Sequence, residues 1–199
     1  MFTDVQAQRI SDFHDRCTGR KGWAKELLPQ YSDGTWKYIE LNHRFNSLLW
    51  GEEDQARRRD VADSEIAANK RAIDGYNQQR QNAIESIDES LLQRLVEVKP
   101  SADARQNSET AGSIVDRLSI LSLKIYHMRQ QTMRTDVDQA HIEACRRKLN
   151  VLMEQRTDLQ QCLDALLRDA VAGRAYFKVY RQFKMYNDPT LNPYLYGKK

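Results

Sequence analysis

One segment, residues 138 to 172, carries a hydrophobic repeat that restricts what the whole chain can fold into. Steps of three and four residues place one set of side chains on a single helical face: Ile142, Cys145, Leu149, Leu152, Arg156, Leu159, Leu163, Leu166 and Ala170. A seam of this regularity is typical of a helix that packs lengthwise against another helix. The pattern therefore predicts a long helix, and this helix needs a helical partner.

The segment before the seam supplies that partner. Thr135 and Asp136 favour a turn, so the preceding helix is predicted to pack antiparallel against the seam. Two further helices are predicted over about 35 to 58 and 64 to 98, and we find no convincing strand. We therefore predict an all-α fold, a single-domain helical bundle over the full chain, with a long antiparallel helical hairpin.

The C-terminal part of the sequence is predicted in two pieces. Gly173 is a good signal for the end of the long helix, yet the stretch RAYFKVYRQFKMY keeps a helical period as far as residue 186. Its bases and rings project to different sides, which predicts an amphipathic helix that buries its rings. The tail from about 187 to 199 contains two prolines and is predicted to be extended.

Composition excludes several classes of protein. Lys and Arg exceed Asp and Glu by only three and are spread along the chain, so a dedicated nucleic-acid binder is not expected. The three cysteines form no CxxC spacing, which argues against a zinc site or a disulfide framework and favours a cytoplasmic location. No apolar run approaches the roughly 20 residues that span a bilayer, so membrane insertion is not expected either.

The segment from about 113 to 128 is apolar around most of its circumference, which is typical of an interior helix. Its polar side chains share one strip about 100° wide. The members of this strip are Ser113, Asp116, Arg117, Lys124 and His127. The strip is either an ordinary solvent-exposed edge or one wall of a cleft between helices.

A second helix favours the cleft. Asn77 and Arg80 interrupt an otherwise aliphatic stripe between residues 64 and 98, so both occupy inward positions. A buried guanidinium needs a partner, because desolvating it alone is too costly. Asp116 or the pair Glu52 and Glu53 could provide a carboxylate, and a buried ion pair that fixes helix register is the structural interpretation.

The functional interpretation is an anion site. Arg80, Arg117 and Lys124 would converge on a phosphate, helped by free amides at the start of the helix near Thr110. We predict His127 as an acid or base and Asp116 as the group that orients it, so these two are the candidate catalytic residues. The candidate ligand-binding residues are Asn77, Arg80, Asn107, Glu109, Thr110, Ser113, Arg117 and Lys124. The sequence identifies no cofactor, and no metal site is predicted.

Two weaker patterns in the sequence could indicate a site. Glu52, Glu53, Glu85 and Asp88 faintly resemble the carboxylate sets that hold magnesium in all-α nucleotide pyrophosphohydrolases, but the ExxE half is missing. They make a magnesium-dependent phosphohydrolase one alternative. His43 lies near Asn46 on the same helix, and a lone histidine of this kind is more often a packed side chain than a ligand.

Four stretches in order resemble one bacterial family, catalogued as domain of unknown function 4254. They are LNHRFNSLLWGEED, KRAIDGYNQQRQNAIESID, RQNSETAGSIVDRLSILSLKIYHM and YRQFKMYNDPTLNPYLY, and they cover about residues 38 to 196. In the family pattern Pro often follows NSET, where this chain has Ala111. The resemblance implies a cytoplasmic protein of cell-surface glycan or lipopolysaccharide gene clusters, often beside glycosyltransferases. It implies no established reaction.

Two function classes follow from these observations. The first is a protein that binds a phosphorylated sugar or a sugar nucleotide in a polar cleft between helices. The second is a helical adaptor that partners a glycosyltransferase, or a homodimer formed through the long hairpin. The first class predicts one cavity shared by the polar residues, and the second predicts internal bridging and an exposed apolar patch. The two classes are distinguished by the positions of Asn77, Arg80, Asp116, Arg117, Lys124 and His127.

Overall fold

The chain is built almost entirely from helices in the computed structural model, which describes residues 2–197. Within these residues the all-α prediction is confirmed, apart from two strands of two residues each. The helices are α1 Ala7–Thr18, α2 Trp23–Glu26, α3 Gly34–Gln55, α4 Asp63–Arg94, α5 Ala111–Thr132, α6 Gln139–Val171 and α7 Pro193–Tyr196. The strands are β1 Arg105–Gln106 and β2 Ala175–Tyr176. No helix in the described part of the chain is both long enough and apolar enough to cross a membrane.

Helix α5 lies at the centre of the molecule, as its apolar circumference predicts. It packs against α1, α3, α4 and α6. Most of its apolar side chains are buried, including Ile114, Leu118 and Ile125. Ser119 and Ser122 are buried as well, and side chains of this small size allow neighbouring helices to approach closely. The central helix therefore supplies most of the contacts that hold the bundle together.

Helices α5 and α6 pack against each other as consecutive elements of the predicted hairpin. Asp138 caps α6, because its carboxylate accepts a hydrogen bond of 2.7 Å from the amide of His141. Most of the apolar seam is buried. Arg156, its polar member, reaches α1 and pairs with Asp15 at 2.8 Å. The polar interruption in the seam thus ties the hairpin to the first helix.

The prediction of a helix that continues past Gly173 is wrong. Gly173 adopts φ 69°, a left-handed conformation that ends α6 and turns the chain. The residues that follow form β2, which pairs in parallel with β1. The ring of Phe183, expected to be buried, is 85% exposed. The tail that was predicted to be extended contains the short helix α7, and its last two residues lie outside the described range.

Candidate functional site

A buried carboxylate with two amide partners forms the centre of the candidate site. Asn42 and Asn46 lie one turn apart on α3, and both donate to the same oxygen of Asp116 on α5, at 2.8 and 2.9 Å. All three side chains are buried. Charged groups bury favourably only when hydrogen bonds replace water, and here the two amides do so. Asp116 is thereby fixed in position.

The same hydrogen-bond network continues to the side chain of His43 and to the backbone carbonyl of His14. Ser119 accepts from Asn46 at 3.0 Å and contacts His43 Nδ1 at 2.8 Å, while His43 Nε2 lies 3.1 Å from the carbonyl oxygen of His14. A carbonyl only accepts, so Nε2 carries the proton and the Ser119 hydroxyl donates to Nδ1. Burial lowers the pKa of His43 to about 3. His43 is therefore a neutral structural group that links α1, α3 and α5.

Arg80 stands at the outer end of this network. Its Nε lies 4.0 Å from Asp116 Oδ1, so Asp116 is the carboxylate partner, among those the sequence offered, that lies beside Arg80. That distance is an ion pair but exceeds a hydrogen bond. The Arg80 Nε is buried and has no hydrogen-bond partner among the described residues. The guanidinium is held by charge, and its donors are not used up by Asp116.

Arg80 opens onto a cleft of about 290 Å³ between α3, α4 and α5, which we call the polar cleft. Its lining residues are Asn46, Leu49, Trp50, Glu53, Asp54, Arg57, Asn77, Arg80, Ile120 and Leu123. The predicted pair Asn77 and Arg80 is thus together at one cavity. Asn46 connects that cavity with the buried carboxylate, because it both lines the cleft and donates to Asp116.

The charged groups around the polar cleft differ in whether they are paired within the protein. Glu53 is paired at 2.9 Å with Arg57, which lies in the turn just after α3. Burial, followed by the nearby charge of Arg80, lowers the pKa of Lys184. That effect places a second cation in the electrostatic neighbourhood of Arg80. Positive charge therefore lies on the Arg80 side of the cleft, whereas the carboxylates of Glu53 and Asp54 line its α3 side.

The other predicted cations do not reach this cleft. Arg117 pairs with Glu109 at 2.6 Å, and it lines, together with Lys124, a separate hollow of about 550 Å³ against α6. Ile120 lines both that hollow and the polar cleft, so the two cavities are neighbours. The predicted convergence of three cations on one cavity is not observed. The polar strip of α5 instead splits into a buried Asp116 and an exposed Arg117 and Lys124.

His127 also lies apart from Asp116. Its ring stacks on Trp50, with centroids 4.5 Å apart and planes 4° from parallel. Burial lowers the pKa of His127. Asp116 and His127 are 127 − 116 = 11 residues apart on one helix, which corresponds to about 16 Å along its axis. Asp116 cannot orient His127, because a shared angle on a helix does not bring side chains to a shared height.

The first amides of α5 are taken by the protein itself. Thr110 caps the helix and accepts from Ser113 N at 3.1 Å, and Gly112 N donates to Asp88 Oδ1 at 2.7 Å. A Cβ at Gly112 would lie 2.4 Å from the carbonyl oxygen of Ile84, so only glycine lets α4 come this close. Burial raises the pKa of Asp88 to about 6. The helix start binds a carboxylate of this chain and is not open to an external anion.

The remaining predicted residues serve local structure. Asn107 donates its side-chain amide to the carbonyl oxygen of Glu109, within the loop before α5. Its backbone amide bonds to Tyr176 O at 2.8 Å, which extends the pairing of the two strands. Neither residue lines the polar cleft. Ala111 takes the first position of α5, the place where a proline is best tolerated.

The four carboxylates of the magnesium alternative are dispersed. Glu52 accepts from Asn69 at 2.7 Å, and Glu85 accepts from Arg181 at 2.9 Å. Asp88 accepts from the amide of Gly112 at the start of α5, and Glu53 pairs with Arg57 just after α3. Within residues 2–197, no three His, Cys, Asp or Glu side chains are grouped closely enough to hold a metal ion. These four residues do not form a common site.

Sequence reasoning missed several members of the network. Asn42 and Asn46 stand four apart in LNHRFNS, and this i, i+4 pair of amides was the available signal for a polar helix face. Ser119 is not among the predicted site residues, although its hydroxyl bridges Asn46 and His43. Trp50 gave no signal, and it lines the polar cleft beside Arg80.

The fold and the site define a class of helical protein whose central helix carries a buried carboxylate beside an open polar cleft. Residues 36–179 match the family described as Protein of unknown function (DUF4254), and the chain belongs to that family. The matched range contains α4 to α6, all of α3 but its first two residues, and every lining residue of the polar cleft. No curated protein and no solved structure matches the chain. The family resemblance found in the sequence is thereby confirmed.

Proposed function

We propose that this protein binds an anionic, phosphorylated ligand in the polar cleft, with Arg80 as the contact to the phosphate. The observation that carries the proposal is the buried Arg80 Nε without a hydrogen-bond partner among the described residues. A buried donor without a partner is costly, and a phosphate oxygen is a partner that guanidinium geometry matches well. Ligand binding would recover this cost when the partly exposed Arg80 side chain turns its guanidinium toward the cleft.

Asp116 gives Arg80 its orientation without consuming its donors. The ion pair at 4.0 Å aims the guanidinium, while Asp116 Oδ1 is already occupied by the amides of Asn42 and Asn46. A preoriented arginine loses less side-chain entropy when a ligand arrives. Lys184 adds positive charge near Arg80. These features together suit a phosphate better than a neutral group.

The ligand class we propose is a sugar phosphate or a sugar nucleotide. The amides of Asn46 and Asn77 and the carboxylates of Glu53 and Asp54 line the same cleft, and such groups recognise sugar hydroxyls. The volume of about 290 Å³ accommodates a phosphorylated monosaccharide. A cytoplasmic role in surface-glycan or lipopolysaccharide synthesis, as the family resemblance implies, is part of this proposal.

The test is a thermal-shift titration with glucose 1-phosphate and UDP-glucose. Saturation at about 100 times the dissociation constant stabilises a protein by about 2.7 kcal/mol, which a melting curve resolves easily. Arg80→Ala should abolish the shift. Arg71→Ala, on the exposed side of the same helix, is the matched control and should keep it. If neither compound stabilises the wild type, or if both variants respond equally, the proposal fails.

A second candidate function, that of an interaction protein, is favoured by the C-terminal segment. After β2 the chain exposes many large apolar side chains, among them Phe183 at 85% and Tyr194 at 84%. Exposed apolar clusters commonly mark surfaces that contact another protein. A homodimer or a glycosyltransferase complex would cover this segment. Sedimentation of the wild type and of Phe183→Ser tests the homodimer: a wild type that stays monomeric at high concentration rules it out.

A further inference from the structure

A second concave surface lies between α5 and α6 on the far side of Trp50 from the polar cleft. This groove, which we call the cationic groove, has a volume of about 630 Å³. Its lining residues are Trp50, Lys124, His127, Met128, Gln131, Arg147, Lys148, Val151, Leu152 and Gln155. Apart from Trp50, it shares no residue with the polar cleft. The inference below therefore does not depend on the proposed function.

The floor of the cationic groove is apolar and open. Trp50, Met128, Val151 and Leu152 form it, and Val151 is 51% exposed in the middle of a long helix. An apolar side chain exposed inside a concave surface gains free energy when a ligand covers it. The floor is therefore a surface that a hydrocarbon group would cover favourably.

The rim of the same groove is positively charged. Lys124, Arg147 and Lys148 all line it, and no Asp or Glu is among the lining residues within the described chain. The protein as a whole has a net charge of only +3, so three cations without a carboxylate are a local concentration. Low-dielectric walls strengthen their field inside the groove. An anion is the group that fits this rim.

We propose that the cationic groove binds an aliphatic phosphate, an alkyl or prenyl monophosphate, with its chain on the apolar floor and its phosphate at the three cations. A nucleoside phosphate suits the groove less well. Its base and ribose present many hydrogen-bonding groups, and the only side-chain amides among the described lining residues are those of Gln131 and Gln155. Inorganic phosphate would use the rim and leave the floor uncovered.

The experiment is isothermal titration calorimetry of the full chain with geranyl monophosphate, kept below its micelle concentration. Geraniol, inorganic phosphate and UMP are titrated in parallel. Geranyl monophosphate should bind at least about tenfold more tightly than each of the three, because only it contacts both the floor and the rim. Equal binding of geraniol, or tighter binding of UMP, overturns the proposal, as does no binding of geranyl monophosphate.

Variants locate the binding. The double change Arg147→Glu with Lys148→Glu should weaken binding at least about tenfold, since it reverses two charges of the rim. Val151→Asp should weaken it as well by placing a carboxylate on the floor. Arg146→Glu changes a neighbouring exposed cation of α6 outside the groove and should leave the affinity unchanged.

Arg80→Ala separates the two sites. It should leave geranyl monophosphate binding intact while abolishing the response to sugar phosphates in the polar cleft. Loss of geranyl monophosphate binding in Arg80→Ala, with full binding in both groove variants, would move the ligand to the polar cleft and overturn the assignment. Circular dichroism of each variant establishes that the helices are retained.

Discussion

Two arginine–carboxylate pairs of the helical bundle differ in how completely the arginine is satisfied. Arg44 and Glu40, both on α3, form a buried pair at 2.9 Å. Arg80 and Asp116 join α4 to α5 at 4.0 Å, and the Arg80 side chain remains 31% exposed. The first pair is closed to solvent and the second borders a cleft. This difference separates a structural pair from a candidate ligand site.

The Arg44 pair uses its hydrogen-bonding capacity inside the protein. Arg44 donates from Nε and Nη2 to Glu40, and from Nη1 to the carbonyl oxygen of Trp23 at 2.9 Å. Its guanidinium also lies 4.6 Å from the centre of the Trp23 ring. Glu40 accepts in addition from the amides of Gln30 and Tyr31. The pair therefore fastens the loop around α2 onto α3.

The Arg80 pair leaves hydrogen-bonding capacity of the guanidinium unused, and this is the difference between the two pairs. Asp116 takes its hydrogen bonds from Asn42 and Asn46, so it offers Arg80 charge but no direct hydrogen bond. Burial alone does not mark a functional arginine. The mark is an arginine that keeps a donor without a partner among the described residues and whose side chain is partly exposed at a cleft.

The largest expected effect is on the closed pair. Arg44→Ala should destabilise the protein by about 3–5 kcal/mol, because it leaves Glu40 as an uncompensated buried charge. For a chain of this size that lowers the melting temperature by about 10 °C. Arg57→Ala is the matched control, since Arg57 pairs with Glu53 at the same spacing but on the surface. The control should change the melting temperature by no more than about 2 °C.

A third buried carboxylate, which has no arginine as its partner, extends the comparison of the two pairs. Asp88 is held by the amide of Gly112, and burial raises its pKa to about 6. Its ordinary value in an unfolded chain is about 3.9. The folded protein is therefore favoured at acidic pH, and this contribution is lost as the pH rises from about 4 through about 6. The loss amounts to about 3 kcal/mol.

Asp88→Asn removes this ionisation and keeps an acceptor for Gly112. The stability of the variant relative to the wild type should therefore increase by up to about 3 kcal/mol between pH 4 and pH 7. Urea unfolding at several pH values measures the difference. Burial also lowers the pKa of His14 and His43, but that opposite trend is common to both proteins and cancels. A difference that is constant with pH would contradict the assignment.

The next largest loss of stability is expected for substitutions at Asp116. Asp116→Ala leaves the buried amides of Asn42 and Asn46 without their acceptor and should cost about 2 kcal/mol. Asp116→Asn keeps an oxygen in place and should cost less than about 1 kcal/mol, so the pair of variants separates the acceptor from the charge. Denaturant unfolding measures both. Equal losses in the two variants would mean that the charge on Arg80 dominates instead.

Local periodicity was enough to predict the bundle. The unbroken seam of α6 and the apolar circumference of α5 gave the hairpin and the interior helix, because both patterns depend on the 3.6-residue repeat alone. The segment after Gly173 was mispredicted for the opposite reason. Its conformation depends on pairing between Ala175 and Arg105, residues far apart in sequence, and on a left-handed glycine.

The site was predictable only where burial required a charge partner. Inward Arg80 needed a carboxylate, and Asp116 was one of the partners that the sequence offered. The grouping of Lys124 and His127 with Asp116 rested on angle alone, and the rise along the helix separates them. Arg117, the residue after Asp116, points to a different side of the helix and pairs with Glu109. The network through Ser119 was out of reach, since a serine hydroxyl gives the same sequence signal whether it bridges or merely packs.

The smallest effect on stability is expected at Arg80 itself. Arg80→Ala removes an ion pair at 4.0 Å without a direct hydrogen bond, from a side chain that is 31% exposed, so it should cost less than about 1 kcal/mol. The same substitution should abolish the thermal shift with sugar phosphates. A variant as damaged as Arg44→Ala would make Arg80 a second structural arginine, because its charge would then be needed to hold Asp116. A stable variant that has lost its ligand is the outcome that only an open, unsaturated guanidinium explains.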